Sequence, residues 1–168
     1  TLGEERKARR IANAIVNYRK NKPISSTHEL AKIVRSAIGS NAKLKIDPAT
    51  KTFQALRIQV NNELYEIKSA LNDAENLLAP GARLVVISFH SLEDKIVKKF
   101  LRSRSGYKSN PSRHSASIYS NIVNNKPSFK LITKKVILAN KYELISNVRA
   151  RSAKLRCGEK LDNLENAA

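Results

Sequence analysis

The spacing of apolar residues changes along the chain, and each change predicts a new element. Between Gly3 and Lys20, Ala8, Ile11, Ala12, Ile15 and Val16 recur at intervals of three and four, while Arg6, Arg9, Arg10 and Arg19 fall mostly elsewhere. That period predicts an amphipathic helix. Glu4 and Glu5 would occupy its first turn, where carboxylates suit the dipole, and Asn21-Lys22-Pro23 ends it. Ser26 and Glu29 then read as the capping box of a second helix. Its stripe is Leu30, Ile33, Val34, Ala37 and Ile38, and Gly39 is its natural stop. Two short helices joined by a proline turn predict a helical hairpin.

A polar, basic linker from Ser40 to Pro48 precedes the longest periodic run. Phe53, Leu56, Val60, Leu64, Ile67, Leu71, Ala74 and Leu78 predict one helix from Thr50 to Leu78, stopped by Pro80-Gly81. Directly afterwards, Arg83-Leu84-Val85-Val86-Ile87-Ser88 is a short apolar run rich in β-branched residues. Such a run predicts a strand buried on both faces of a parallel sheet. Ser91 to Arg102 is expected to be a helix with Ser91 as N-cap, Asp94 in the first turn, and Ile96, Val97, Phe100 and Leu101 facing inward. Helix, turn, buried strand and helix make one repeat of a doubly wound α/β fold. Ser103 to Ser128, rich in Ser and Asn, is expected to be a mobile loop. Phe129 to Leu138 and Ser152 to Leu161 are expected strands, the second alternating Ala153, Leu155 and Cys157 with Lys154 and Arg156. A helical reading of the second stays open.

Charge adds what periodicity does not. Thirty-two Lys and Arg against fourteen Asp and Glu give a net +18 over 168 residues. A surplus of that size is the electrostatic footprint of a nucleic-acid partner. A compositional bias towards Lys, Asn and Ile is the competing explanation. Cys157 stands alone, and His28, His90 and His114 are scattered, so no disulfide and no metal site is expected. No stretch approaches the roughly 18 consecutive apolar residues of a membrane span. The first residues lack the basic-then-apolar pattern of a signal peptide. A cytoplasmic protein without a membrane partner is therefore expected.

Candidate chemistry concentrates at Ile87-Ser88-Phe89-His90-Ser91-Leu92-Glu93-Asp94, where the chain leaves the C-terminal end of the predicted buried strand. Ligands of open α/β sheets bind outside those ends. As catalytic candidates, His90 can donate to a base or phosphate, and Glu93 or Asp94 can accept a proton. Helix capping explains Ser91 and Asp94 equally well, and a hydrogen bond to the loop backbone would explain His90. Two basic clusters are candidate RNA contacts: Arg6, Arg9 and Arg10, and Arg149, Arg151, Lys154 and Arg156. Alternation would set Lys154 and Arg156 on one strand face, pointing away from Leu155. No glycine-rich nucleoside loop, P-loop, GxSxG or HExxH is present.

Three stretches together resemble the RsmH (MraW) family. They are Gly3 to Ala12; Asp47-Pro48-Ala49-Thr50-Lys51-Thr52-Phe53-Gln54-Ala55-Leu56-Arg57-Ile58 through Leu77-Leu78-Ala79-Pro80-Gly81 to the SFHSLED word at Ser88–Asp94; and Asn147 to Arg156. The resemblance implies S-adenosylmethionine-dependent methylation of a cytosine amine in small-subunit ribosomal RNA. It also implies a partial class I, Rossmann-like α/β methyltransferase fold lacking its N-terminal strands. Residues 1–44 would be the helical end of the substrate-recognition insert, and residues 45–168 the C-terminal half of the methyltransferase domain. The family's cofactor-binding motifs have no counterpart in this sequence, so no cofactor is expected on this chain alone. Ala82 and Val148 depart from the family's usual Gly and Pro. The implied protein is truncated and inactive alone. Its alternatives are an RNA-binding remnant, or a piece of an intact enzyme completed in trans by an N-terminal half.

Overall fold

The computed structural model describes residues 2–39, 47–106 and 126–162. The chain divides into two compact units, Thr1–Glu63 and Leu64–Ala168.

In the first unit, α1 (Ala8–Asn21) starts later than its periodicity suggests. Glu4 adopts φ 48°, and the Glu5 carboxylate accepts the Lys7 N–H at 2.8 Å. Both carboxylates therefore lie in a turn ahead of the helix rather than within its first turn. Ala12 and Val16, counted in the apolar stripe, are exposed. α2 (Thr27–Ile38) forms half of the expected capping box: Ser26 accepts the Glu29 N–H at 3.2 Å. The Glu29 carboxylate turns elsewhere, to the Ser25 N–H at 2.9 Å, to Lys22 at 2.8 Å and to the Tyr18 hydroxyl. Gly39, at φ 85°, stops the helix as predicted. Ile11, Ala31, Val34, Ala37 and Ala49 form the core, with Phe53 of α3 (Thr50–Val60) packed against it.

The predicted single helix over Thr50–Leu78 is two helices. α3 ends at Val60 and α4 (Glu63–Leu77) begins after Asn61-Asn62, with Asn62 at φ 53°. Asparagine tolerates this left-handed region better than most residues, so the doublet breaks the ladder. Leu56 and Val60, members of the presumed continuous stripe, are exposed.

The second unit contains β1 (Arg83–Ser88), α5 (Ser91–Arg104), β2 (Phe129–Leu131), β3 (Ile137–Leu138), α6 (Lys141–Ser146), a short 3-10 helix (Val148–Ser152) and β4 (Lys154–Lys160). β4 is central, with β1 on one side and β2 and β3 on the other, all antiparallel to it. The expected strand over Phe129–Leu138 is thus broken in two. The turn falls at Ile132-Thr133, where both N–H groups reach the Cys157 carbonyl at 3.1 Å. β4 begins at Lys154 rather than Ser152 because the residues before it wind into the 3-10 helix, which Asn147 caps through the Arg149 N–H.

β1 is not a parallel strand buried on both faces. Among the described residues it pairs only with β4, antiparallel. Leu84 and Val86 join Leu71, Val97, Phe100, Leu101 and Phe129 in one core. Val85 and Ile87 point to the opposite face and are 53% and 55% exposed. Period-two alternation makes this unavoidable when helices cover one face alone. Gly158 of β4 lies on the covered face, where a Cβ would come within 2.8 Å of Leu101 Cδ2. The expected linker and mobile loop fall largely on residues 40–46 and 107–125, outside the described residues. No described helix is long and apolar enough to cross a membrane.

Candidate functional site

The passage from β1 into α5 holds the three catalytic candidates, His90, Glu93 and Asp94, and each has a structural engagement. His90, not Ser91, is the N-cap of α5. Its Nδ1 accepts the Glu93 N–H at 3.3 Å. The neutral imidazole then carries its proton on Nε2. Nε2 sits 3.1 Å from Glu93 Oε1, off-line for a hydrogen bond, and is buried without a hydrogen-bond partner among the described residues. Glu93 completes the capping box, its Oε2 accepting the Phe89 N–H at 2.9 Å and the His90 N–H at 3.3 Å. Asp94 takes both Arg156 donors, Nε at 2.7 Å and Nη2 at 3.0 Å.

This last pair changes the picture of the basic clusters. Arg156 is buried and ties β4 to α5. The outward orientation expected from alternation fails because Arg156 lies opposite Val86, on the covered face of the sheet. Lys154 is half-buried, its ammonium 3.4 Å from the Ser152 carbonyl. Arg149 and Arg151 are exposed on the 3-10 helix, and Arg6, Arg9 and Arg10 are exposed in the first unit. The structure thus leaves five of the seven candidate RNA contacts exposed to solvent and removes Arg156 from the set.

Reasoning from sequence missed two networks and an exposed ridge. Glu29 gathers Lys22, Tyr18 and Ser25, which hold its carboxyl near a pKa of about 2 against an ordinary 4.5. Glu75 gathers Arg104 at 2.5 Å and the Ser128 hydroxyl. Burial pushes the Glu75 carboxyl up, but these hydrogen bonds and the charges of Arg104 and Lys160 outweigh it and leave the pKa lowered. Tyr142, Ile145 and Val148 form the ridge on α6 and the 3-10 helix. The Asn140 and Asn147 caps that order this ridge were readable as turn residues, but the exposure of its apolar side chains was not.

The described residues do not form the cradle that S-adenosylmethionine would need. A nucleoside cofactor needs a glycine-lined turn opening a helix N-terminus with free amides. The strand-to-helix turn here contains no glycine, and the carboxylate of Glu93 occupies its Phe89 and His90 amides. Gly39 and Gly81 have positive φ but serve a helix end and the turn before β1. A Cβ at Gly3 would meet the Lys51 carbonyl oxygen at 2.5 Å, and one at Gly158 would meet Leu101 Cδ2 at 2.8 Å, so both are close-packed against the protein itself.

The geometry by itself defines a helical unit and an α/β unit with helices over one face of a small antiparallel sheet. The sequence model of the MraW methylase family matches residues 1–161, and the chain belongs to that family. It is similar to ribosomal RNA small subunit methyltransferase H from several bacteria. Identity is 49% over 158 residues for Granulibacter bethesdensis, covering 94% of this chain and 46% of that protein. For Acidiphilium cryptum it is 48% over 160 residues, covering 95% and 50%. For Bradyrhizobium diazoefficiens it is 50% over 161 residues, covering 95% and 46%. The chain spans about half the length of the curated relatives it matches.

Proposed function

We propose that this chain is the C-terminal part of a small-subunit ribosomal RNA cytosine methyltransferase. It supplies the closing strands of the catalytic sheet and cationic RNA contacts, while S-adenosylmethionine binding and methyl transfer require a further half. Residues 1–44 act as the helical end of a substrate-recognition insert. Alone, the chain is inactive.

The observation that carries this reading is the state of β1. Its outer edge has no strand partner among the described residues, and Val85 and Ile87 lie exposed on its uncovered face. An apolar strand with a free edge and a bare face is an aggregation liability in a finished protein. It is the expected surface of a sheet that continues. In support, the chain spans only about half of each relative, and the other half of those proteins offers a counterpart for such a continuation. The exposed Arg6, Arg9 and Arg10 of the first unit suit contact with phosphate, as do Arg149 and Arg151 of the second, with the half-buried Lys154 close to them in sequence. The name of the relatives gives the polyanion: small-subunit ribosomal RNA.

The test is to co-express this chain with the half of the Acidiphilium cryptum relative that it does not match. Transfer of labelled methyl groups from S-adenosylmethionine to small ribosomal subunits is then measured. The chain alone should transfer none, and the pair should transfer above either half. Methylation by the chain alone, or a co-purifying pair with no activity, would contradict the reading.

A further inference from the structure

Strand register brings three segments to one end of the sheet. Ser88, the last residue of β1, lies opposite Lys154, the first of β4, and Leu138, the last of β3, lies opposite the same Lys154. Phe89, α6 and the 3-10 helix therefore all adjoin the end of the sheet at which β1 leaves and β4 begins. What collects there is apolar, aromatic and cationic. Phe89 is exposed, and Tyr142, Ile145 and Val148 are 85%, 81% and 74% exposed.

This segment holds a defined backbone while Tyr142, Ile145 and Val148 stay unpacked and only Leu144 is partly buried. Asn140 caps α6 through the Glu143 N–H at 2.8 Å, Asn147 caps the 3-10 helix, and the Asn147 N–H reaches the Glu143 carbonyl at 2.7 Å. Ala150 is buried and anchors the 3-10 helix, yet no α6 residue is buried. Fixing a backbone costs conformational entropy, which apolar burial ordinarily offsets. Here the order serves presentation. Charge indicates to what: from Lys134 to Lys154 the cations are Lys134, Lys135, Lys141, Arg149, Arg151 and Lys154, against Glu143 alone. Protein interfaces are depleted of lysine, and four of these cations are lysines. An exposed ring among cations is instead the composition that binds unpaired nucleotides, by base stacking and phosphate contact.

The geometry points to this ridge as a site for single-stranded RNA, with Tyr142 stacking on an unpaired base and Arg149 and Arg151 holding the flanking phosphates. The inference rests on the RNA partner proposed above and adds the form of RNA and the residue that reads it. Arginines hold duplex and single strand alike, whereas an aromatic ring requires an unstacked base.

The test uses the full chain and a fluorescent, unstructured oligoribonucleotide of about 12 nucleotides, against a duplex of equal length. The single strand should bind more tightly. Tyr142→Ala should weaken its binding roughly tenfold, Tyr142→Phe should restore it, and Tyr65→Ala, at another exposed tyrosine on α4, should leave it unchanged. Arg149→Ala and Arg151→Ala should each lower the slope of log affinity against log salt by about 0.7. If Tyr142→Ala binds like the parent while the arginine variants lose slope, the stacking site is overturned and the RNA reading stands. No binding by the parent at low salt overturns both. Repeating the titration with the complementary half of the relative tests a protein occupant: loss of the Tyr142 contribution in the co-purified pair assigns the ridge to that contact and overturns the site.

Discussion

Asp94 and Arg156 show how a residue's partner decides its role. Their side chains are about one-tenth exposed and joined by two hydrogen bonds across α5 and β4. Removing one member leaves a desolvated charge behind. Asp94→Ala should lower the free energy of unfolding by roughly 3 kcal/mol in a urea titration; a change under about 0.5 kcal/mol would show the pair to be as wet as a surface pair. The SFHSLED word was legible as a special place, since it follows an apolar strand and opens a helix. The roles within it were not, because capping by His90 and pairing across 62 residues of sequence exist only once α5 and β4 are packed. Glu29 carries a second prediction at this scale. Its folded pKa of about 2 lies below the ordinary 4.5, the Lys22 hydrogen bond being the largest cause. A depressed carboxylate contributes stability that is complete above the unfolded value and is lost as pH falls through the folded one. The helical signal of the first unit should therefore decline between about pH 4.5 and 2, followed by circular dichroism. Glu29→Gln should flatten that decline.

Elements were read best where local chemistry decides them. The α1–α2 hairpin, the Gly39 stop, the start of β1 and the course of α5 follow from periodicity and capping residues, and they formed as expected. Elements whose ends depend on the rest of the sheet were read less well. The interruption at Ile132-Thr133 depends on the Cys157 carbonyl and the 3-10 helix on the Asn147 cap, neither of which periodicity registers. The break between α3 and α4 is intermediate, because Asn61-Asn62 was visible but the unbroken stripe outweighed it. The positive φ of Asn62 makes this break testable. Asn62→Val forces a β-branched residue into the left-handed region and should cost about 1–2 kcal/mol, measured by thermal unfolding. Asn62→Gly should be tolerated. Equal stability of the two variants would mean that the backbone there relaxes into continuous helix.

At the scale of the whole molecule, the proposed division of labour rests on the half-covered sheet, the absence of a glycine-lined turn at the α5 N-terminus and the half-length match to relatives. The family was legible from three words of sequence because they span the chain in order. The condition of the sheet was not, since an apolar run reads the same whether one face is covered or two. In this account, Val85, Ile87 and the outer edge of β1 await strands and helices from the complementary half, and the cofactor belongs to that half. The central claim is tested by calorimetric titration of S-adenosylmethionine into the isolated chain. The account predicts no saturable heat; saturable binding at micromolar affinity would place a cofactor site on these residues and contradict it.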